Sequence, residues 1–372
     1  MKTTPSRLAL RVFGTPILIA SAALLLGSLA VRSRADILYV ANEGNNTIEK
    51  FTTNGVPSLF ATNTVYGAAP FGLAFDSATN LYVAYPNIYT NMVKFSATGN
   101  YLFSFAPGLG YAQGIAFDGA GNLYVANASG NTIEKFSATG ADLGIFAGSG
   151  LNNPRGVAFD SAGNLYAANS GNNTIEKFST NGTDLGTFAS WPGSTLSFPF
   201  GVAFDSAGNL YVANLLANGI EKFSASGTDL GTFASTGLSA PEGLAFDSAG
   251  NLYVASQGTA TIEKFTPDGA GSIFASNEVH APTFLAFTDD AGNPLPLPAT
   301  IVRPTVSILT TPQKFTFTVQ SMAGRTYYLE YSTGLAPASW STLGSTPGTG
   351  GLINLTDLDP TDTQRFYRIR IQ

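Results

Sequence analysis

Residues 156–169 read Gly156-Val-Ala-Phe-Asp-Ser-Ala-Gly-Asn-Leu-Tyr-Ala-Ala-Asn169, and Thr174-Ile-Glu-Lys-Phe178 follows them closely. Near-copies of this pair of segments recur along the chain, and their first glycines are 42, 42, 45 and 42 residues apart. A period in this range is typical of β-propellers, in which each repeat folds as a small four-stranded sheet and the array closes into a ring. The five lead glycines are Gly72, Gly114, Gly156, Gly201 and Gly243.

Each repeat divides into four predicted strands. The Gly-Val-Ala-Phe segment is short and carries small residues at alternate positions, which suits the crowded strand nearest a propeller axis. The Leu-Tyr-Val-Ala-Asn segment is apolar on both faces, so neighbouring blades should cover both. The third strand is Thr-Ile-Glu-Lys-Phe, whose Glu and Lys we expect on a solvated rim, and the fourth runs from Asp184 to Ala189 in this copy.

A predicted hairpin joins the first two strands of each repeat. In this copy it reads Asp160-Ser-Ala-Gly-Asn164, where Asp accepts hydrogen bonds from the turn backbone and Gly163 adopts a positive φ. A calcium loop is the alternative function for these aspartates. Calcium requires several oxygen ligands, and only Asp160 and Asn164 offer oxygen side chains at alternate positions here, so we favour the hairpin.

Six copies of the second strand indicate six blades. They begin with Leu at positions 38, 81, 123, 165, 210 and 252. The chain enters the array with strands two to four, in residues 37–61, and leaves it with a first strand, Phe284-Leu-Ala-Phe287. Together these segments would complete one blade and close the ring. The predicted fold is therefore all-β: a six-bladed propeller of four-stranded blades, whose closing blade is shared by N- and C-terminal segments.

The repeat resembles a known family. Ala168-Asn-Ser-Gly-Asn-Asn-Thr-Ile-Glu-Lys-Phe178 is similar to the NHL repeat, as are Pro154-Arg-Gly156 and Pro241-Glu-Gly243, and the resemblance extends over residues 36–288. It implies a propeller but no single activity, because NHL proteins and their relatives include RNA-binding modules, lyases, lactonases and scaffolds. Asn169 and Thr174 stand where the family typically has Asp and Arg, so its basic RNA-binding surface is not expected here.

Composition excludes several classes of function. The net charge is −6 with only 18 Lys and Arg, which argues against a nucleic-acid partner, since phosphate binding needs a dense basic face. The chain has no Cys and one His, His280, which excludes disulfides, thiolate sites and metal sites built from several histidines. No cofactor, metal ligand or catalytic residue is assigned from the sequence.

The first 35 residues are predicted to be a signal peptide. Lys2, Arg7 and Arg11 form a basic start, an apolar run spans residues 17–31, and Ser33-Arg34-Ala35 offers a cleavage site. The apolar run is about 15 residues, shorter than the roughly 20 of a membrane span, so no span is expected after cleavage. An uncleaved anchor is the alternative. In either case we expect an exported protein, secreted, periplasmic or at the cell surface, and a monomer.

Composition shifts after residue 288. We expect the propeller in residues 36–290, a Pro-rich linker in 291–303 and a small β-sandwich module in 304–372. The module resembles immunoglobulin-like or fibronectin-like C-terminal modules of secreted bacterial proteins. Its basic and aromatic last strand either docks a surface polymer or closes the sheet. Its predicted strands are 314–320, 326–331, 351–355 and 365–371.

Strand order indicates which face can bind a partner. In a four-stranded meander, the connections from strand two to three and from strand four to the next blade share one face, opposite the tight Asp-x-x-Gly turns. The residue before the lead glycine, on that loop-bearing face, differs in every blade. Such heterogeneity indicates either a binding site on a symmetric frame or drift of exposed loop positions. These six residues are Phe71, Gln113, Arg155, Phe200, Glu242 and Thr283.

The loops of that face add aromatic residues and one histidine. Their rings suit stacking on a sugar or gripping a peptide, or else pack the loops together. His280 lies close to Glu278 and is either a general base or incidental. We include Tyr85, Trp191 and His280 in the predicted binding site. The other aromatic loop residues are Tyr66, Tyr89, Tyr111 and Phe198.

Two functions remain open. We favour a non-catalytic binding or scaffold protein whose propeller mouth recognises a glycan, a peptide or a cell-surface protein. The alternative is a metal-dependent propeller lyase or gluconolactonase-like hydrolase with its metal at the channel mouth. A metal needs convergent oxygen ligands, and the ring offers only Glu242 and Gln113. Further carbonyls could come from Asn42, Asn127, Asn169 and Asn214.

Overall fold

A computed structural model describes most of the repeat region and the strands of a second unit. The described residues are 10–13, 36–62, 69–86, 92–106, 108–190, 196–289, 294–295, 305–310, 313–320, 326–332, 341–347, 352–357 and 364–371. The chain divides into two compact units, Ser33–Pro298 and Met1–Arg32 with Ala299–Gln372. Within the described part of the chain, no helix is long and apolar enough to cross a membrane.

The described secondary structure is almost entirely β. Strand bounds are β1 (Leu10–Phe13), β2 (Ile37–Asn42), β3 (Thr47–Phe51), β4 (Pro57–Thr62), β5 (Leu73–Phe75), β6 (Leu81–Ala84), β7 (Met92–Phe95), β8 (Tyr101–Phe105), β9 (Ala112–Phe117), β10 (Leu123–Asn127), β11 (Thr132–Phe136), β12 (Asp142–Ala147), β13 (Pro154–Phe159), β14 (Leu165–Asn169), β15 (Thr174–Phe178), β16 (Asp184–Ser190), β17 (Pro199–Phe204), β18 (Leu210–Asn214), β19 (Gly219–Phe223), β20 (Asp229–Ala234), β21 (Pro241–Phe246), β22 (Leu252–Ser256), β23 (Thr261–Phe265), β24 (Gly271–Ala275), β25 (Pro282–Thr288), β26 (Thr305–Thr310), β27 (Gln313–Gln320), β28 (Thr326–Ser332), β29 (Ser341–Pro347), β30 (Leu352–Asp357) and β31 (Gln364–Ile371). One 3₁₀ turn spans Gln257–Thr259.

Strands β2 to β25 form six four-stranded sheets, which confirms the predicted six-bladed propeller. Blade 1 combines β25 with β2, β3 and β4, and blades 2 to 6 take the following strands four at a time, from β5–β8 to β21–β24. In blade 1 the last strand of the propeller pairs with the first, with Leu38 opposite Phe287 and Val40 opposite Leu285. The closing blade is therefore shared by two distant segments.

Aromatic residues pack each blade against the next. The second strands are buried on both faces, as expected for strands enclosed by neighbouring sheets. In blade 4 the Tyr166 ring meets the Phe188 ring of its own blade and the Phe204 ring of blade 5, each at 4.9 Å between centroids and edge to face. Such pairs contribute about 0.5–1.5 kcal/mol beyond their area burial. The same trio recurs around the ring, which explains why its Tyr and Phe residues repeat.

The hairpin turns form as predicted, and their aspartates serve the turn. Asp160 Oδ1 accepts hydrogen bonds from the backbone N–H groups of Ala162 and Asn164, both at 2.9 Å. Its Oδ2 accepts from Asn164 Nδ2 at 2.8 Å and from the Tyr166 hydroxyl at 3.2 Å. Gly163 has φ +83°. Both carboxylate oxygens already have donors inside the hairpin, which favours a structural turn over a calcium loop.

The predicted solvated rim of Glu and Lys is wrong for the glutamates. Successive strand residues face opposite sides, so Glu176 and Lys177 cannot share one environment. Lys177 reaches Asp160 Oδ2 at 3.8 Å, whereas Glu176 Oε1 accepts a hydrogen bond from Thr187 Oγ1 at 2.9 Å. The equivalent glutamates of four blades are buried between sheets. They are Glu49, Glu176, Glu221 and Glu263.

The second unit has two sheets, ordered β1-β31-β28-β29 and β26-β27-β30. The four strands predicted for it correspond to β27, β28, β30 and β31, and the structure adds β26 and β29. A sandwich of these sheets stays a prediction. β1 falls within the predicted signal peptide and pairs with β31, Leu10 lying opposite Tyr367. The other residues of that segment, and the predicted linker except residues 294–295, lie outside the described residues.

Candidate functional site

The six residues that precede the lead-glycine position, hereafter the inner-ring residues, do not occupy exposed loops. Five of them are the second residues of the inner strands β9, β13, β17, β21 and β25, and Phe71 directly precedes Gly72 before β5. All except Arg155 are buried. Pairing with the second strand already begins one residue earlier, at Pro154 opposite Asn169, and a register shift follows. The expectation of exposed loop positions is therefore wrong.

The lead glycines bring the inner-ring residues close together. A Cβ atom built on Gly114 would lie 2.6 Å from the carbonyl oxygen of Arg155, in the next blade. The other lead glycines make the same approach to the inner-ring residue of their neighbour. At these five positions only glycine permits the backbone contact, so packing sets the spacing between these blades.

Phe284 takes the lead-glycine position in the closing blade. Its ring lies 5.8 Å from that of Phe200, centroid to centroid, and Phe71 belongs to the same apolar cluster. Phe71 and Phe200 come from blades 2 and 5, three steps apart in a ring of six, so they lie on opposite sides of the axis. An aromatic cluster therefore extends across the axis. Aligning the repeats by sequence is enough to show that Phe284 stands where the other five blades have glycine.

Arg155 lies among aromatic rings on the loop-bearing face. Its guanidinium carbon is 5.8 Å from the ring centroid of Tyr111, 5.5 Å from that of Phe198 and 5.4 Å from that of Phe200. Its Nε donates a hydrogen bond to Ser170 Oγ at 3.2 Å. Burial lowers the pKa of Arg155, with Tyr111 and Glu242 opposing that shift, and the guanidinium stays charged at neutral pH. The structure thus brings predicted residues from three blades together.

Phe198 occupies an unusual backbone conformation beside Arg155. Its φ is +55°, a left-handed value that bulky residues rarely adopt. The equivalent positions in neighbouring blades carry Asn153 and Ala240, with φ of 53° and 46°. The backbone N–H of Phe198 donates to Asn173 Oδ1 at 2.8 Å, which holds the turn. The same left-handed conformation precedes the inner-strand proline in four blades, so it belongs to the repeat, and blade 5 differs by placing an aromatic ring there.

Gln113 and Glu242 are polar, buried and incompletely bonded. Gln113 is 0% exposed, and neither its Nε2 nor its Oε1 has a hydrogen-bond partner within the described residues. Glu242 is 4% exposed and its Oε2 also has none there. Burial raises the pKa of Glu242 to about 8, with Glu43 adding to the rise and Arg155 opposing it. Near neutral pH this carboxyl is therefore largely protonated.

The other residues predicted for the binding site have no described contact with Arg155. Thr283 Oγ1 is positioned to donate to the carbonyl oxygens of Pro70 at 3.0 Å and Ala41 at 3.3 Å, a structural role. Tyr85 is buried, which raises its pKa and removes its ring from the surface. His280 is half-exposed, with Nε2 at 3.8 Å from Glu278 Oε2. Trp191, Tyr66 and Tyr89 lie outside the described residues.

The donor set does not fit a metal at the mouth. The asparagines expected to contribute carbonyls bind the loops instead: Asn169 Oδ1 accepts from the Asn152 N–H at 3.2 Å, and Asn42 Oδ1 accepts from the His280 N–H at 3.1 Å. Asn127 and Asn214 accept backbone N–H groups in the same way. Among described residues, no group of three or more His, Cys, Asp or Glu could hold a metal ion.

Comparisons with known proteins agree with the fold. Residues 151–178 match the family model of the NHL repeat. No curated protein sequence matches this chain significantly. The chain is similar to a propeller in a crystal structure of a nidogen/laminin complex, at 21% identity and a TM-score of 0.60, covering 68% of this chain and 98% of that one.

Two lyases are also similar in structure. A streptogramin B lyase is 16% identical with a TM-score of 0.52, covering 70% of this chain and 92% of the lyase. Virginiamycin B lyase from Staphylococcus aureus is 15% identical with a TM-score of 0.53, covering 68% of this chain and 88% of that one. At these identities the likenesses show the propeller fold alone.

Proposed function

We propose that this chain is an exported, non-catalytic binding or scaffold protein that recognises a partner with the loop-bearing face of its propeller. Export rests on the predicted signal peptide. The partner is a glycan, a peptide or a protein, and it presents an anionic group to Arg155. A propeller in a nidogen/laminin complex is a fold neighbour, which favours a protein among these partners.

The observation that carries this proposal is the setting of Arg155. Three rings surround its guanidinium, its one described hydrogen bond uses Nε, and the described ion pairs do not include it. Arg keeps four further N–H donors in a planar fork that matches carboxylate, phosphate or sulfate groups. Tyr111 is 37% exposed, so the stack is reachable from solvent.

Variants of the stack test the proposal. Arg155→Ala should reduce capture on glycan, peptide and protein arrays at least about tenfold, because a charge-assisted contact contributes roughly 1.5–3 kcal/mol. Phe198→Asn should also reduce capture, because it removes one of the three rings around the guanidinium. Asn already occupies the equivalent backbone position at Asn153, so Phe198→Asn removes the ring without a new backbone demand.

Leu185→Ala, an exposed residue of an outer strand, is the control and should bind like the unchanged chain. Melting temperature is measured for every variant. Unchanged capture by both stack variants, or a loss of capture explained by unfolding, would assign these residues to structure and contradict the proposal.

A second candidate function rests on Glu242. A carboxyl with a pKa of about 8 could donate a proton near neutral pH, as an acid in a metal-dependent lyase or gluconolactonase-like hydrolase would. The oxygen donors around it do not fit a metal, as described above. Metal analysis of the purified chain discriminates the two functions: stoichiometric calcium or magnesium that is lost in Glu242→Ala would favour the enzyme.

A further inference from the structure

The fourth strand of each blade is an edge strand. Its outer backbone N–H and C=O groups pair with no strand in the described part of the chain, and several of its side chains are apolar and exposed. Such edges accept strands from other chains, and proteins usually block them with bulges, prolines or charges. The six edges of this propeller, β4, β8, β12, β16, β20 and β24, are not blocked equally.

Three blades carry a glycine bulge in the outer strand. In blade 5, Glu221 pairs with Thr232 but Phe223 pairs with Asp229, so the register shifts between them. Gly231 has φ +86°, and its N–H donates to Asp229 Oδ1 at 2.7 Å. Blades 3 and 4 repeat this arrangement, and blade 2 has a shift at the corresponding place. Blade 1 lacks the shift, but its outer strand begins with Pro57.

The outer strand of blade 6, β24, has neither device. In blade 6, Phe274 follows Phe265 by nine positions, whereas in blade 5 Phe233 follows Phe223 by ten. Blade 6 therefore lacks the extra residue that forms the bulge. Pairing is regular across Glu263–Ile273, Lys264–Ser272 and Phe265–Gly271, and β24 contains no proline. Gly271, Ser272 and Ile273 are exposed, Ile273 by 65%. Among the described outer strands, β24 alone has neither a glycine bulge nor a proline. The turn of blade 1 at Gly55 packs against the Phe274 carbonyl, so the open part of this edge is residues 271–273.

A groove with an unpaired carboxylate lies beside β24. The groove has a volume of about 640 Å³ between blades 5 and 6, and Gly237, Glu263, Phe265 and Ile273 are among its lining residues. Glu263 is 4% exposed; its Oε1 accepts a hydrogen bond from Thr261 Oγ1 at 2.8 Å. No described donor binds its Oε2, which, unlike Glu221 Oε2, keeps some contact with solvent.

No described cation compensates Glu263. The adjacent Lys264 faces the other side of the sheet, where its Nζ lies 3.7 Å from Asp247 Oδ2. Glu263 and the equivalent Glu221 of blade 5 each accept one described hydrogen bond, from Thr261 and Thr232, and Glu221 Oε2 is buried without a partner among the described residues. Ile273 takes the place of Thr232 in blade 6 and offers no hydrogen. A buried carboxylate without a counter-ion is costly, and a cation in the groove would relieve that cost.

We propose that β24 and this groove bind an extended peptide that carries a lysine. The peptide adds to β24 as a fifth strand, and its lysine lies opposite Ile273 on the side that faces the groove. An added strand would lie about 4.8 Å from β24 and about 9.6 Å from β23, which a lysine and a glutamate side chain together can span. The lysine stem covers Ile273, and its ammonium binds Glu263 Oε2.

Two features select this ligand over others. The edge of β24 offers alternating backbone N–H and C=O groups, which a peptide backbone matches. One free carboxylate oxygen suits the compact ammonium of lysine, since arginine binds best through two oxygens at once. The site uses no inner-ring residue, so it is independent of the function proposed above.

The test uses a fluorescently labelled peptide of about seven residues, alternating threonine and valine with a central lysine, and an analogue with norleucine in its place. Fluorescence anisotropy with the full chain at low ionic strength, where charge pairs are least screened, gives both affinities. We expect the lysine peptide to bind at least about tenfold more tightly, and Glu263→Gln to abolish that advantage.

Two variants locate the binding. Glu221→Gln makes the same change beside the bulged edge of blade 5 and should preserve the lysine preference. Replacing Ala270-Gly271-Ser272-Ile273 with the Thr-Asp-Leu-Gly-Thr of positions 228–232 restores the bulge in a form that this fold already accommodates, and it should abolish binding of both peptides.

Several results would overturn the proposal: no binding of the lysine peptide, equal binding of both peptides, or the same loss in Glu221→Gln. Analytical ultracentrifugation of the unchanged chain and of the restored-bulge variant tests whether a second copy occupies β24. If the unchanged chain forms dimers that the restored bulge dissociates, the occupant of β24 is a second copy of this chain and the peptide site is refuted.

Discussion

Glu242 shows how a single residue can make stability depend on pH. Its pKa is about 8 in the folded chain against an ordinary value of 4.5, because burial disfavours the charged form. Below the ordinary value the residue is neutral in both states and costs nothing. Between the two values the unfolded chain has released the proton that the folded chain keeps, so stability falls as pH rises.

We predict that Glu242→Gln removes this loss. The difference in unfolding free energy between the variant and the unchanged chain should grow from pH 4.5 to pH 8 by roughly 1.4 kcal/mol for each unit that separates the two pKa values, as an upper limit. Urea denaturation at several pH values measures it. A difference that is independent of pH would mean that Glu242 is charged in the folded chain.

For single residues, the sequence shows which positions differ between blades but not whether their side chains are buried. The inner-ring residues are visible in the repeats because they fail to repeat. Their burial is not visible, because it depends on backbone contacts such as that of Gly114 with the Arg155 carbonyl, which join residues in different blades. The burial of Glu263 is hidden for the same reason: its groove is formed by two blades.

The hairpin is the element that the sequence predicts most fully, because its interactions are local. All five copies hold an Asp that accepts the turn N–H groups, and four have glycine at the position of positive φ. Blade 2 is different: Thr79 occupies that position with φ +68°. A β-branched residue is strained there, since its side chain clashes with the backbone.

We therefore predict that Thr79→Gly raises the unfolding free energy by about 1 kcal/mol, the usual cost of a left-handed conformation for a residue with a Cβ atom. The reverse change, Gly163→Val, should lower it by more than about 1 kcal/mol. Thermal or urea denaturation of both variants provides the measurement. A neutral Thr79→Gly would show that contacts of the threonine side chain offset the strain.

The whole molecule divides where the propeller ends. Residues 33–298 form a compact unit of their own, and the ring within it closes through β25 pairing with β2. We predict that a chain ending at Pro298 unfolds in one cooperative transition close to that of the propeller in the full chain. A chain ending at Ala281 lacks β25 and should not give a native transition, because β2 loses its partner. Calorimetry and circular dichroism distinguish these outcomes, and a stable product from the shorter chain would contradict the closure.

Because the blades are nearly identical, β2 has several similar inner strands with which it could pair during folding. Any inner strand presents almost the same Gly-Val-Ala-Phe edge, so β2 could pair with the wrong one and close a smaller ring. β25 differs from the others at two adjacent positions: Thr283 fits the carbonyls of Ala41 and Pro70, and Phe284 fits the ring of Phe200. These contacts are available only when five blades already stand in place. The contacts of β25 thus favour its pairing with β2 over any other closing pair and set the number of blades at six.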